Sequence, residues 1–414
     1  MEDILKIQKS IEFDESVSHY EMHTHQPFAL SSYGNNDEIS ITVQHQDLCL
    51  LPSKGYLYIY GRLTTDNGTT PTQRTRLVSN AICHLFEEIR YELNGMEIDR
   101  AKNVGLTSIM KNYVSQYPNQ WFLMENAGWI KDDSMDSSEK ITDNAGYFDI
   151  SIPLSLLLGF AEDYQKIVVN AKHELIITRS KTDINAILQR PVSPQNPEEK
   201  WKINLQKIEW LIRYVKVSDE RKVKLLNFIA KDTPIVMGFR TWELYEYPLL
   251  PTTQKHVWVV KTSSQLEKPR YVILGFQTNR KNSQTANANN FDHCGIRDVK
   301  LFLNSQSYPY GNLNLDIDRN QYSTLYNMYV NFQESYYSKE SEPLLIREKF
   351  ITKAPLIVID CSKQNEYLKT GPVDIRLEFE SSMPFAPNTS VYRLILHDQI
   401  IEYNPISGGV KKLM

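Results

Sequence analysis

The sequence predicts an all-β chain of two tandem antiparallel β-sandwiches with short helices, on three observations. First, 414 residues exceed the ~250–300 at which a single hydrophobic core stops growing, so two domains are expected. Second, Val, Ile, Thr and Tyr recur in short runs bounded by turn residues, and Tyr alone counts 24. Such β-branched and aromatic side chains suit a half-buried pleated surface. Third, the strand signals of the second half repeat those of the first in the same order.

Taken in order, Asp37 to His45 and Gly55 to Thr64 alternate β-formers with polar or small residues, and Asp66-Asn67-Gly68 breaks the run. Phe86 to Leu93 and Met96 to Ile98 flank Asn94-Gly95, a pair able to take the positive φ values of a type I′ hairpin turn. Leu106 to Val114 carries apolar residues at helical spacing, and Tyr147 to Ile152, His173 to Thr178 and Ile203 to Val217 read as strands. Ser218-Asp219-Glu220 opens a helix whose stripe is Val223, Leu225, Leu226, Phe228 and Ile229, and Pro234 stops it. Strands resume at Ile235 to Tyr247, His256 to Lys261 and Arg270 to Thr278.

The repeat rests on five pairings. Gly55–Thr64 lies over Pro269–Thr278, which aligns Gly61 with Gly275. Ile89–Gly95 lies over Val299–Ser305, with Asn94 on Asn304 at the tips of two hairpins. Thr107–Ser115 lies over Ser323–Asn331, Tyr147–Ile152 over Pro355–Asp360, and Glu174–Ile177 over Asp374–Leu377. The offsets stay between 200 and 216 residues, which argues for duplication. Each unit has about eight strands and a mid-unit helix, the make-up of a jelly-roll sandwich. The expected organisation is an N-terminal arm over 1–31, a first jelly roll over 32–217, a helical linker over 218–233, a second jelly roll over 234–404 and a tail over 405–414. Gly408 to Lys412 is expected to be a frayed end or an arm that orders on assembly.

Two sandwiches in tandem, a helix after the hairpin in each and a helical linker resemble the double jelly-roll major capsid proteins. The closest look is to those of Polinton or Maverick elements, related small DNA viruses of eukaryotes and their genome-integrated copies in invertebrates. Tyr271 to Asn282 and the hairpin from Val299 to Gly311 carry that resemblance, which covers Ser32 to Pro405. It implies a homotrimer of pseudo-hexagonal outline that tiles an icosahedral shell, with penton or minor capsid proteins as further partners. It also implies a place in the virion, with assembly in the host cytoplasm or nucleus, and neither catalytic residues nor a cofactor. The alternative is a host-domesticated or non-capsid jelly-roll protein that binds carbohydrate or protein partners.

Composition narrows the remaining classes. Lys+Arg total 46 against Asp+Glu 50, so there is no general attraction to nucleic acid, and no sequence-specific binding to it is expected. Arg74 and Arg76, or Arg221, Lys222 and Lys224, could form only a local basic patch. The acidic start Met1-Glu2-Asp3 has no apolar leader, and no apolar run approaches the ~18 residues of a membrane span, so neither Sec secretion nor a span is expected. Cys49, Cys83, Cys294 and Cys361 are far apart, which builds no zinc knuckle or redox pair. His23 and His25 share a strand face but have no third ligand nearby. Asp292-His293-Cys294 reads as an exposed polar loop, and Glu87, Glu88, Glu340 and Glu342 as solvated acids. No Gly-rich phosphate loop occurs.

Two long polar segments, Gln116 to Ala145 and Asn279 to Phe291, are expected at exposed or intersubunit positions. The first holds Trp121, Phe122 and Trp129, three large aromatics in one connection. They are the candidate intersubunit contacts, ordered against a neighbouring chain or the adjacent sandwich.

Overall fold

The computed structural model describes residues 17–28, 33–44, 49–72, 74–194, 197–260, 269–304, 306–364 and 375–413. The first unit holds β1 (Val17–His25), β2 (Glu38–Gln44), β3 (Cys49–Thr65), β4 (Thr75–Leu77), β5 (Phe86–Leu93), β6 (Met96–Lys102), β7 (Tyr147–Pro153), β8 (Lys172–Arg179), β9 (Ile187–Gln189) and β10 (Trp201–Val217). The second holds β11 (Ile235–Tyr247), β12 (Lys255–Val260), β13 (Pro269–Thr278), β14 (Ile296–Leu303), β15 (Gln306–Tyr308), β16 (Ile357–Asp360), β17 (Ile375–Ser381), β18 (Thr389–Tyr403) and β19 (Val410–Leu413). Helices are α1 (Ala81–His84), α2 (Val104–Ser115), α3 (Trp121–Asn126), α4 (Gly159–Asp163), α5 (Asp219–Ile229), α6 (Ser323–Tyr337) and α7 (Arg347–Lys353).

Each unit is built on two sheets of four matched strands, and in the second unit β19 adds a fifth strand beside β18. The first has strand orders β1-β10-β3-β7 and β2-β8-β5-β6; the second has β11-β18-β13-β16 and β12-β17-β14-β15. The two sets coincide position for position, every pair is antiparallel, and each unit is an eight-stranded jelly roll. The five sequence pairings fall on equivalent elements, β3 with β13, β5 with β14, α2 with α6, β7 with β16 and β8 with β17. Asn94 (φ 49°) and Gly95 (φ 79°) turn the β5–β6 hairpin, and Asn304 (φ 52°) follows β14 at the matching place. A Cβ at Gly61 or Gly275 would lie 2.5 Å from a ring carbon of Phe148 or Phe291. Glycine at these matched positions is what lets a ring lie flush on the strand.

Two expectations are corrected. The segment expected as an arm supplies β1 from Val17, hydrogen-bonded along β10; residues 1–16 lie outside the described residues. The tail does not fray, since β19 extends the sheet beside β18. Along α5, Leu225 and Ile229 pack towards the cluster of Cys49, Val169 and Val215, which Ile235 of β11 also joins, whereas Leu226 is 54% exposed and Val223 and Phe228 also face solvent. One apolar cluster runs from Ile39 through Phe160 and Phe239 to Tyr403, so the cores of the two sandwiches are continuous.

The junction is built from α4, β11 and the paired helices. Asp163 of α4 takes the Arg240 guanidinium in a fork, at 2.8 Å to Nε and 2.6 Å to Nη2, and also accepts the Arg240 backbone N–H at 2.8 Å. Arg240 lies 3.5 Å over the Tyr336 ring. Tyr329 Oη donates to the carbonyl of Tyr113 at 2.8 Å, joining two residues that the repeat superposes, and Gln333 donates to the carbonyl of Gln116. Gly159 permits this approach, since a Cβ there would stand 1.7 Å from the Arg240 carbonyl oxygen. Gly159→Ala is therefore expected to cost about 1–3 kcal/mol in urea unfolding through overpacking. Leu226→Asp, on the exposed side of α5, should stay within about 0.5 kcal/mol. Equal midpoints for the two variants would contradict this account of the junction.

Candidate functional site

The loop Asn279 to Phe291, expected to be exposed or intersubunit, is exposed at Asn279, Lys281, Asn282 and Thr285, while Asn287 to Asn289 are buried against the first sandwich. Apolar neighbours exclude water there, so each polar group needs a protein partner. Asn289 is 0% exposed; its Oδ1 lies 2.7 Å from His84 Nε2, and its Nδ2 donates to the carbonyl of Ser79. Asn287 Nδ2 donates to Asp133 at 2.7 Å, and Lys353 Nζ reaches the other Asp133 oxygen at 3.2 Å. At the rim, Gln189 N donates to the carbonyl of Gln284, and Asn282 N to Asn185 Oδ1. A polar seam thus ties residues from about 100 to 220 positions apart.

Its electrostatics follow from burial. Burial pushes the His84 imidazole down to about 4, so it is neutral at pH 7 and its Nε2–H donates to Asn289. Burial likewise pushes His173 down to about 3. Burial opposes ionisation of Asp133, but the Lys353 ammonium and the Asn287 amide outweigh it and hold the carboxyl below its usual range. Burial also raises the thiols of Cys83 and Cys294 to about 12, which keeps them protonated and poorly nucleophilic.

The three candidate aromatics separate. Trp129 is 2% exposed and belongs to the chain's own core, edge-on to Tyr113 at 5.7 Å. Trp121 is half-buried against that core, with the Lys131 ammonium 5.4 Å from its ring. Phe122 is 82% exposed. The segment is tied both to its own unit and to the adjacent sandwich: Arg76, expected as a basic-patch residue, is buried and donates to the carbonyls of Ser134, Ser137 and Glu139, and Asp133 takes Asn287 and Lys353 of the second unit. Along β1, His23 Nε2 lies 2.9 Å from Glu21 and His25 Nε2 3.0 Å from Tyr214 Oη. Asp292 binds Arg280 at 2.6 Å and the backbone N–H of Thr278, while His293 Nδ1 accepts from Gly295 N. These polar groups hold local structure together. Sequence reasoning missed His84, Asn289, Asp133, Lys353 and the Asp163–Arg240 fork.

What remains exposed is apolar in places where a monomer gains nothing from it. Edge strand β12 turns Val257 and Val259 outward, at 59% and 55% exposure. Its counterpart β2 presents Glu38, Thr42 and Gln44 instead. Edge strand β1 exposes Tyr20 and Met22. Strand edges of this kind are templates for association unless charged or covered.

Acid should weaken the seam, and the sign is set by the histidines. His84 binds a proton near 6.5 when unfolded but only near 4 when folded, so its stabilising contribution is complete above pH 6.5 and lost as pH falls towards 4. His173 acts in the same sense. Asp99, raised to about 6 by burial, opposes them over a narrower range. The expected outcome is a Tm that drops between pH 6.5 and 4.5, with a shallower drop in His84→Gln. An unchanged slope in that variant would refute the assignment to the seam.

The double jelly roll-like domain family model matches residues 75–401. Among solved structures, the chain is similar to one in the cryo-EM structure of the Sputnik virophage, with TM-score 0.66, 9% identity, and coverage of 99% of this chain and 91% of that one. It is also similar to PBCV-1 VP54 fitted into a Sputnik reconstruction, with TM-score 0.61, 9% identity, and coverage of 98% and 99%. The mavirus major capsid protein matches with TM-score 0.59, 11% identity, and coverage of 99% and 92%. No curated protein sequence matches the chain. With a matched strand order in both units and a family match over most of its length, the chain belongs to the double jelly roll-like domain family.

Proposed function

We propose that the chain is a structural major capsid protein whose trimers, six sandwiches in pseudo-hexagonal outline, tile an icosahedral shell. The observation that carries this reading is that two equivalent sandwiches are locked at a fixed angle by a buried seam. Three such rigid pairs around a threefold axis make six similar lobes, whereas a hinged pair would not hold a lattice. The likeness in fold over nearly the full length to major capsid proteins supports it; a Polinton or Maverick-type origin belongs to the same reading. The unlike edges support it too: a ring closes through heterologous contacts, in which different patches of one chain meet. Apolar β12 and the exposed Phe122 supply such patches. An enzymatic role has little support, because the buried histidines and thiols are held in unreactive protonation states. Penton or minor capsid proteins, and assembly in the host cytoplasm or nucleus, belong to the same reading.

Light scattering tests it. The protein at micromolar concentration should run at about three times its 48.2 kDa. The Val257→Lys, Val259→Lys double variant and Phe122→Asp should each weaken the trimer at least about tenfold, on the order of a hot-spot loss, while circular dichroism stays unchanged. A wild-type protein that remains at 48.2 kDa in assembly buffer would end the proposal.

A further inference from the structure

Between the loops that follow α2 and α6 lies a cleft of about 300 Å³. One side is Trp121 and Trp129 of the first unit; the other is Leu344, Leu345, Ile346 and Lys349 of the second. Lys131 and Lys353 complete the lining with Tyr113, and none of the lining residues is acidic. The three lysines differ. Lys353 is neutralised by Asp133 at 3.2 Å. The Lys131 ammonium rides 5.4 Å from the Trp121 ring, and Lys349 stands exposed at the mouth. Ile346, 64% exposed, extends the apolar wall outward. The result is an aromatic and aliphatic slot with lysines at its entrance and no acidic residue in its lining.

We infer that this cleft binds a small amphipathic anion, an apolar body of about ten non-hydrogen atoms with one carboxylate or phosphate head. The apolar body replaces water on Trp121, Leu344 and Ile346, and the head meets Lys131 and Lys349, with which a neutral head would make no charge-assisted contact. Because the walls come from both units, an occupant bridges the two sandwiches. Binding to the folded state alone raises its stability by mass action. The inference does not depend on the assembly reading.

Octanoate is a suitable probe, with 1-octanol as its uncharged counterpart and acetate as the head alone. Titrated against intrinsic tryptophan fluorescence and thermal unfolding, octanoate should give a saturable change with Kd on the order of 0.1–1 mM and a Tm raised by a few degrees. Octanol should bind about 3–10-fold more weakly, and acetate should give no saturable change. Lys349→Ala and Lys131→Ala should each weaken octanoate about 3–10-fold and leave octanol unaltered. Equal affinities for octanoate and octanol, or octanoate binding that ignores both lysine variants, would overturn the inference. So would octanoate that binds only monomers and dissociates larger species, since the cleft would then be a socket for a neighbouring chain.

Discussion

The interaction on which the structure depends is a buried hydrogen-bonded seam between the two sandwiches, from His84 through Asn289 and Asn287 to Asp133 and Lys353. Apolar contact alone is non-directional and would let two domains slide. A desolvated amide and carboxylate behave differently, because each unmade bond leaves a penalty of about 1–3 kcal/mol or more. The loop after β13 must therefore seat in one register on the first unit, and the angle between the units is set with it. The fork of Asp163 on Arg240 and the close approach at Gly159 fix the same angle from the other side of the junction.

Duplication then explains why the chain looks symmetric inside and asymmetric outside. Both units keep the same strand orders, the same hairpin asparagine and the same glycine beneath a ring, since these belong to the closure of a jelly roll. Their edges have diverged: β2 is polar, whereas β12 carries Val257 and Val259. Identical edges on both units would favour indiscriminate pairing, while one polar and one apolar edge restrict which faces can meet.

Most strands of both units were legible because inward-facing apolar residues alternate along them, and because two halves repeating in order strengthen each weak signal, but β18, central in its sheet, was not among them. Asn94 and Asn304 were legible from turn chemistry alone. What was not legible depended on partners distant in sequence. β1, with three histidines and a glutamate in nine residues, has no alternating apolar pattern and becomes a strand only because β10 offers its edge. The α5 stripe gave the right helix but not its packed face, since Leu225 and Leu226 are chemically equal and only the tertiary setting buries one of them. Trp121, Phe122 and Trp129 showed that a connection is packed against something, and the structure separates core from surface among them. The seam left no local trace, because nothing near Asn289 in the chain points to His84.

Electron microscopy of the purified protein tests the central claim, that rigid pairs of sandwiches assemble as capsid building blocks, most directly. The account predicts particles of pseudo-hexagonal outline with six similar lobes around a threefold axis, alone or tiled into shells. Isolated two-lobed particles, or particles whose lobes vary in mutual angle, would contradict it.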